Sequence, residues 1–71
     1  MATFADRLKE LRKVKEASQR QMSIYMDITE RNYQRYEHGK ADPSISKAIK
    51  LADYFDVSLD YLTGRTDIKN P

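Results

Sequence analysis

Residues 18–40 read Ser18-Gln19-Arg20-Gln21-Met22-Ser23-Ile24-Tyr25-Met26-Asp27-Ile28-Thr29-Glu30-Arg31-Asn32-Tyr33-Gln34-Arg35-Tyr36-Glu37-His38-Gly39-Lys40, and they carry two short helix signals with a break between them. Ser18 with Gln21 three residues on is a capping box, and Met22 and Met26 form an i, i+4 apolar pair, so a helix is expected over about residues 19–26. Asp27-Ile28 interrupts the pattern and Thr29 can cap a new start. Tyr33 and Tyr36 then supply an i, i+3 apolar edge before Gly39 stops it, giving a second helix over about residues 30–38. Two short helices joined by a turn of about three residues can set the second into a DNA major groove while the first crosses the backbone.

The flanks extend the helical reading. Phe4, Leu8 and Leu11 share one face behind a Thr3/Asp6 cap, which predicts a helix over about residues 4–15. Residues 39–43 hold Gly39 and Pro43 without periodicity and read as a loop. Ser44 can cap a helix carrying Ile45, Ala48, Ile49, Ala52 and Phe55, and Ser58 a last short one carrying Leu59 and Leu62 before Gly64. Strand-like alternation is absent. The expectation is an all-α, five-helix domain over residues 1–65, followed by a polar tail, residues 66–71, that frays.

Composition narrows the function. A 71-residue chain buries only about 60% of the surface of its unfolded form, too little for a large core and a deep catalytic cavity together. There is no cysteine, and the single histidine, His38, lacks companions for a metal site, so no metal and no cofactor are expected. Ser18, Thr29, Ser44 and Ser58 read as caps, not nucleophiles, and the scattered carboxylates show no catalytic pairing; an enzyme is not expected. No apolar run approaches a membrane span, and Met1 to Phe4 lacks a signal-peptide layout, so a soluble cytoplasmic protein without a membrane partner is expected. Nine Lys or Arg stand against six Asp or Glu in residues 1–40, and four against five in residues 41–71, which directs attention to the first half for a polyanion.

The candidate reading helix presents Glu30, Arg31, Asn32, Gln34 and Arg35 on the side away from Tyr33 and Tyr36. Arg can hold guanine O6 and N7, Gln and Asn can hold adenine N6 and N7, and Glu can accept from cytosine N4. Met22, Met26 and the two tyrosines are expected in the core, Tyr25 at the surface, and Lys9, Lys13 and Lys15 on a wet helical face.

The chain resembles the Cro/lambda-repressor-like helix-turn-helix regulators, the xenobiotic-response-element family, over about residues 4–65. The resemblance rests on Arg7-Leu8-Lys9-Glu10-Leu11-Arg12, Ser18-Gln19, Arg35-Tyr36-Glu37-His38-Gly39-Lys40, Pro43-Ser44, Leu51-Ala52-Asp53-Tyr54-Phe55 and Val57-Ser58-Leu59-Asp60-Tyr61-Leu62, in that order. It implies a sequence-specific double-stranded DNA-binding regulator, a repressor acting as a homodimer on a palindromic operator, with no small-molecule ligand indicated. By position it implies that Glu30, Arg31, Gln34 and Arg35 approach base edges and that Gln19, Asn32, His38 and Lys40 meet the backbone. Arg12 and Glu37 take the places of an internal ion pair that orients the reader, and Tyr61 and Leu62 lie in the region that pairs subunits. Where the family has Gly at the turn this chain has Asp27, and where it has Ala on helix 2 this chain has Ser23, which then needs a hydrogen-bond partner. The other readings of the same features are an antitoxin or restriction-controller subunit, and a protein-interaction module on the same fold.

Overall fold

Five helices begin in the same way. Thr3, Ser18, Thr29, Ser44 and Ser58 each sit in extended backbone and accept, through the side-chain oxygen, the N–H three residues on. This satisfies one of the orphan donors that every helix start exposes. The computed structural model describes residues 3–70; Met1, Ala2 and Pro71, which the expected domain and tail include, lie outside the described residues. The elements are α1 (Phe4–Val14), α2 (Gln19–Met26), α3 (Glu30–Glu37), α4 (Ile45–Phe55) and α5 (Leu59–Leu62). The fold is all-α, and α1 and α3 stop one residue short of their expected ends.

The helices also end alike. A residue in the left-handed region follows each: Glu16 (φ 56°), Asp27 (φ 56°), Gly39 (φ 71°), Asp56 (φ 54°) and Gly64 (φ 84°). The next N–H then closes back five residues: Ala17 to the Arg12 carbonyl, Ile28 to Ser23, Lys40 to Arg35, Val57 to Ala52 and Arg65 to Asp60, at 2.8–3.2 Å. Each is the Schellman closure that recovers a carbonyl the helix leaves unpaired. Three of the five use an acidic residue where glycine would be unstrained. The reversal turns Ala17, Ile28 and Val57 inward onto the core.

That core joins Leu8 and Leu11 of α1, Met22 and Met26 of α2, Tyr33 and Tyr36 of α3, Leu51, Ala52 and Phe55 of α4, and Tyr61 and Leu62 of α5. Phe4 closes it edge-on against Tyr36, with ring centroids 6.4 Å apart. Among the described residues no helix is long and apolar enough to cross a membrane.

Two expectations change. Tyr61 and Leu62 offer no pairing surface, because α5 turns them inward, to 5% and 0% exposure, and leaves Leu59 outside. Tyr25 is exposed as expected, and its ring lies 4.6 Å from that of Tyr54 while its hydroxyl donates to the Lys50 carbonyl at 3.3 Å, which ties α2 to α4. The segment after α5 does not fray. The Ser58 N–H donates to the Lys69 carbonyl at 2.7 Å, and Asn70 Nδ2 to the Asp56 carbonyl at 3.1 Å.

Arg7 is what gathers that segment. Its guanidinium lies 3.8 Å from the Tyr61 ring centroid and donates to the carbonyls of Tyr61 and Thr66, both at 3.2 Å, and to Asp67 Oδ1 at 2.6 Å. The Arg7 side chain is 7% exposed and that of Asp67 97%, so the carbonyls and the ring, not the screened carboxylate, set the energy. Arg7→Ala is therefore expected to lower the unfolding free energy by about 2–3 kcal/mol, whereas Asp67→Ala leaves it nearly unchanged. Urea titration of both variants checks this, and equal losses would assign the energy to the ion pair instead.

Candidate nucleic-acid interface

The α2–α3 turn is set by its own residues. Asp27 in the left-handed conformation ends α2, Ile28 drops toward the core, and Thr29 accepts the Asn32 N–H to start α3. Ser23, buried where α2 packs against α3, satisfies its hydroxyl by donating to the Arg20 carbonyl at 2.7 Å. Neither residue needs a change of backbone course, so the two helices keep a short three-residue connection.

A buried carboxylate fixes how α3 lies. Arg12, from α1, donates to Glu37 through Nε at 2.6 Å and through Nη2 at 3.1 Å, and its Nη1 reaches the Ala17 carbonyl at 3.0 Å. Gln19, the first residue of α2, donates from Nε2 to the same Glu37 at 3.1 Å. Gln34 in turn donates from Nε2 to Gln19 Oε1 at 3.2 Å. Three helices thus meet on one side chain that has no exposed surface. The Tyr33 hydroxyl is buried close to this group without a well-formed hydrogen bond.

The electrostatics follow from that packing. Burial pushes the Glu37 carboxyl upward, but the hydrogen bonds and charge of Arg12, with the Gln19 amide, outweigh it and hold the group below its ordinary value. The hydrogen bond to Glu37 raises the Arg12 guanidinium correspondingly. Burial first, and then the neighbouring carboxylate, raise the Tyr33 phenol well above its usual range.

The opposite face of α3 is open. Glu30, Arg31, Asn32 and Arg35 are exposed, Gln34 is half-buried at the α2 edge, and His38 and Lys40 are exposed just past the helix end. Among the described residues no carboxylate lies within ion-pair distance of Arg31 or Arg35. Glu30, Arg31, Gln34 and Arg35 therefore share one continuous outer surface, with His38 and Lys40 beyond its far end. Gln19 bonds within the chain through both ends of its amide, which leaves one Nε2 hydrogen for the backbone contact expected of it. Local spacing gave no sign of that bridge, because its three helices are brought together only by the core. Among the described residues no group of His, Asp or Glu could hold a metal ion.

A helix-turn-helix family model matches residues 8–62. The chain belongs to the Cro/lambda-repressor-like helix-turn-helix family. Among relatives, it is 41% identical over 59 residues to the SPbeta prophage-derived uncharacterized helix-turn-helix-type transcriptional regulator YonR of Bacillus subtilis, covering 83% of this chain and 55% of that one. It is 35% identical over 60 residues to the cryptic phage CTXphi transcriptional repressor RstR of Vibrio cholerae, covering 84% and 54%. A crystal structure of a transcriptional regulator from Listeria innocua superposes with a TM-score of 0.84 at 34% identity, over 87% of this chain and 58% of that one. The chain spans about half the length of the curated relatives it matches.

In this helix-turn-helix domain the Glu37 carboxyl titrates lower when folded than when unfolded. Its stabilisation is therefore complete above the unfolded value, roughly pH 4.3, and is lost as pH falls through the lower folded value. Glu37→Gln removes the charge that the part-buried Arg12 is paired with and is expected to cost about 3 kcal/mol at neutral pH. The gap from wild type should narrow steadily below about pH 4.3. Denaturant titrations from pH 7 to pH 3 read it directly, and a gap that does not move with pH would mean that the charge of Glu37 contributes nothing.

Proposed function

We propose that the chain binds double-stranded DNA sequence-specifically, with α3 in the major groove, as a transcriptional regulator that represses by occluding a promoter. The observation that carries this reading is the outer face of α3, where Arg31 and Arg35 stand one turn apart with no carboxylate within ion-pair distance among the described residues, on a helix whose other face is locked into the core. Each can hold a guanine edge bidentately, Glu30 can accept from cytosine, and Gln34 can meet adenine. Asn32, His38 and Lys40 then position the helix through phosphates without specifying sequence. The repressor role is supported by the relation to RstR, itself a repressor.

Selection of preferred sites from random duplexes tests the assignment. Arg31→Ala and Arg35→Ala should each relax one base position at a cost of about 1–3 kcal/mol, while Lys40→Ala weakens all sequences alike. Wild-type affinity should fall steeply with salt, because phosphate contacts displace counterions. Unchanged base preferences in both arginine variants would remove these residues from the reading set.

The reading includes a twofold dimer that places two α3 helices about 34 Å apart on a palindrome. With Tyr61 and Leu62 buried, the pairing surface in this reading is an apolar groove of about 320 Å³ lined by Phe4, Pro43, Ile45, Ala48 and Leu59. Ile45 is 76% exposed at its edge. Ile45→Glu should leave the fold intact and abolish cooperative occupancy of the two half-sites. Unaltered cooperativity would place the dimer contact elsewhere.

A further inference from the structure

We propose that Glu37 fixes the direction of a chain of side-chain amides, Gln19 and then Gln34, so that Gln34 is committed to reading adenine. This rests on the DNA-binding reading above and adds what sets the preference of one of its residues.

The argument is one of donors and acceptors. An ionised carboxylate only accepts hydrogen bonds, and Glu37, gripped by the Arg12 guanidinium, has no donor to offer. Gln19 must therefore turn its NH2 toward Glu37, as it does at 3.1 Å, which leaves its carbonyl oxygen facing Gln34. Gln34 must then turn its own NH2 toward Gln19, as it does at 3.2 Å. Reversing either amide would set oxygen against oxygen. What Gln34 has left for a partner is its Oε1 and one N–H.

That remaining pair matches one base edge. Adenine offers an N6 donor and an N7 acceptor in the major groove, whereas guanine offers O6 and N7, both acceptors. With Oε1 fixed outward, a two-point approach to guanine or to a phosphate would set that oxygen against another acceptor and leave only the single N–H contact, whereas adenine satisfies both groups. A free glutamine could rotate its amide to suit any of these partners. The network removes that choice, so Gln19 and Glu37 act as positioning residues for a preference that Gln34 expresses.

The test compares site selection by the whole chain with wild type, Gln34→Ala and Gln19→Met, the last keeping the side-chain length while deleting the relay; thermal melts confirm that each variant is folded. Wild type should show one adenine column that Gln34→Ala erases, with about tenfold or more discrimination of adenine over guanine there. Gln19→Met should shrink that discrimination to about threefold or less and leave the other columns as they were. Wild-type binding to a site carrying 7-deazaadenine in that column, which lacks the N7 acceptor, should weaken by about tenfold, a readout that does not depend on any variant folding. An adenine column that Gln34→Ala removes but Gln19→Met leaves unchanged would overturn the relay while base reading by Gln34 stands. No column responding to Gln34→Ala would remove Gln34 from the readers and the relay with it, and a wild-type chain that selects no sequence would overturn the DNA-binding reading itself.

Discussion

Everything that makes α3 useful depends on one buried carboxylate that has to be satisfied. Glu37 reaches no solvent, so its charge must be met inside the chain, and the groups that meet it come from two other helices: Arg12 from α1 and Gln19 from the start of α2. A buried ion pair adds little net stability over an apolar replacement, yet removing one partner is expensive. The consequence is orientational. Any tilt of α3 that breaks the bidentate Arg12 contact leaves a charge stranded, so the helix has one acceptable angle. An eight-residue helix would not persist alone in water, and its order comes from this pair together with Tyr33 and Tyr36 in the core.

The fold was legible because its punctuation is local. Each helix start depends on a hydroxyl three residues before the N–H that it accepts, and each stop on the conformation of a single residue, so both can be read from a few neighbours. Glu16, Asp27 and Asp56 show the limit of that reading. They hold the left-handed position with acidic side chains, and only the break in apolar spacing, not the residue type, marks the end of α1 or α4.

What the sequence concealed is long-range. Tyr61 and Leu62 sit on a four-residue helix whose inner and outer faces cannot be told apart by periodicity; both join the core, and Arg7, more than fifty positions away, stacks on the Tyr61 ring. The same arginine, read alone, looks like one more basic residue of a solvated helix. It also helps to hold the tail: residues 66–70 carry no helix signal, but the arginine donates to the Thr66 carbonyl and to the Asp67 carboxylate, while the Ser58 N–H meets the Lys69 carbonyl. Within the candidate interface, the outward set on α3 was legible from the i, i+3 tyrosine edge, which assigns the other positions to the opposite side. The inward turn of Gln19 was not, since it needs a carboxylate from α3 and an arginine from α1 to arrive at the same point.

The outer face of α3 then divides by mobility. Arg31 and Arg35 carry long side chains with no ion-pair partner among the described residues, so they give up rotamer freedom when a partner fixes them, at a cost of about 0.5–1.5 kcal/mol each. Their contribution is the difference between a strong charge-assisted contact and that loss, and it responds to salt. Gln34 starts from a held position, with one amide hydrogen already engaged and the side chain half-buried. It has little freedom left to lose and no charge to be screened. In the proposed complex, affinity for a polyanion would therefore fall mainly to the arginines, and discrimination between bases at its own position to the glutamine, whose fixed polarity derives from the same carboxylate that sets the angle of the helix.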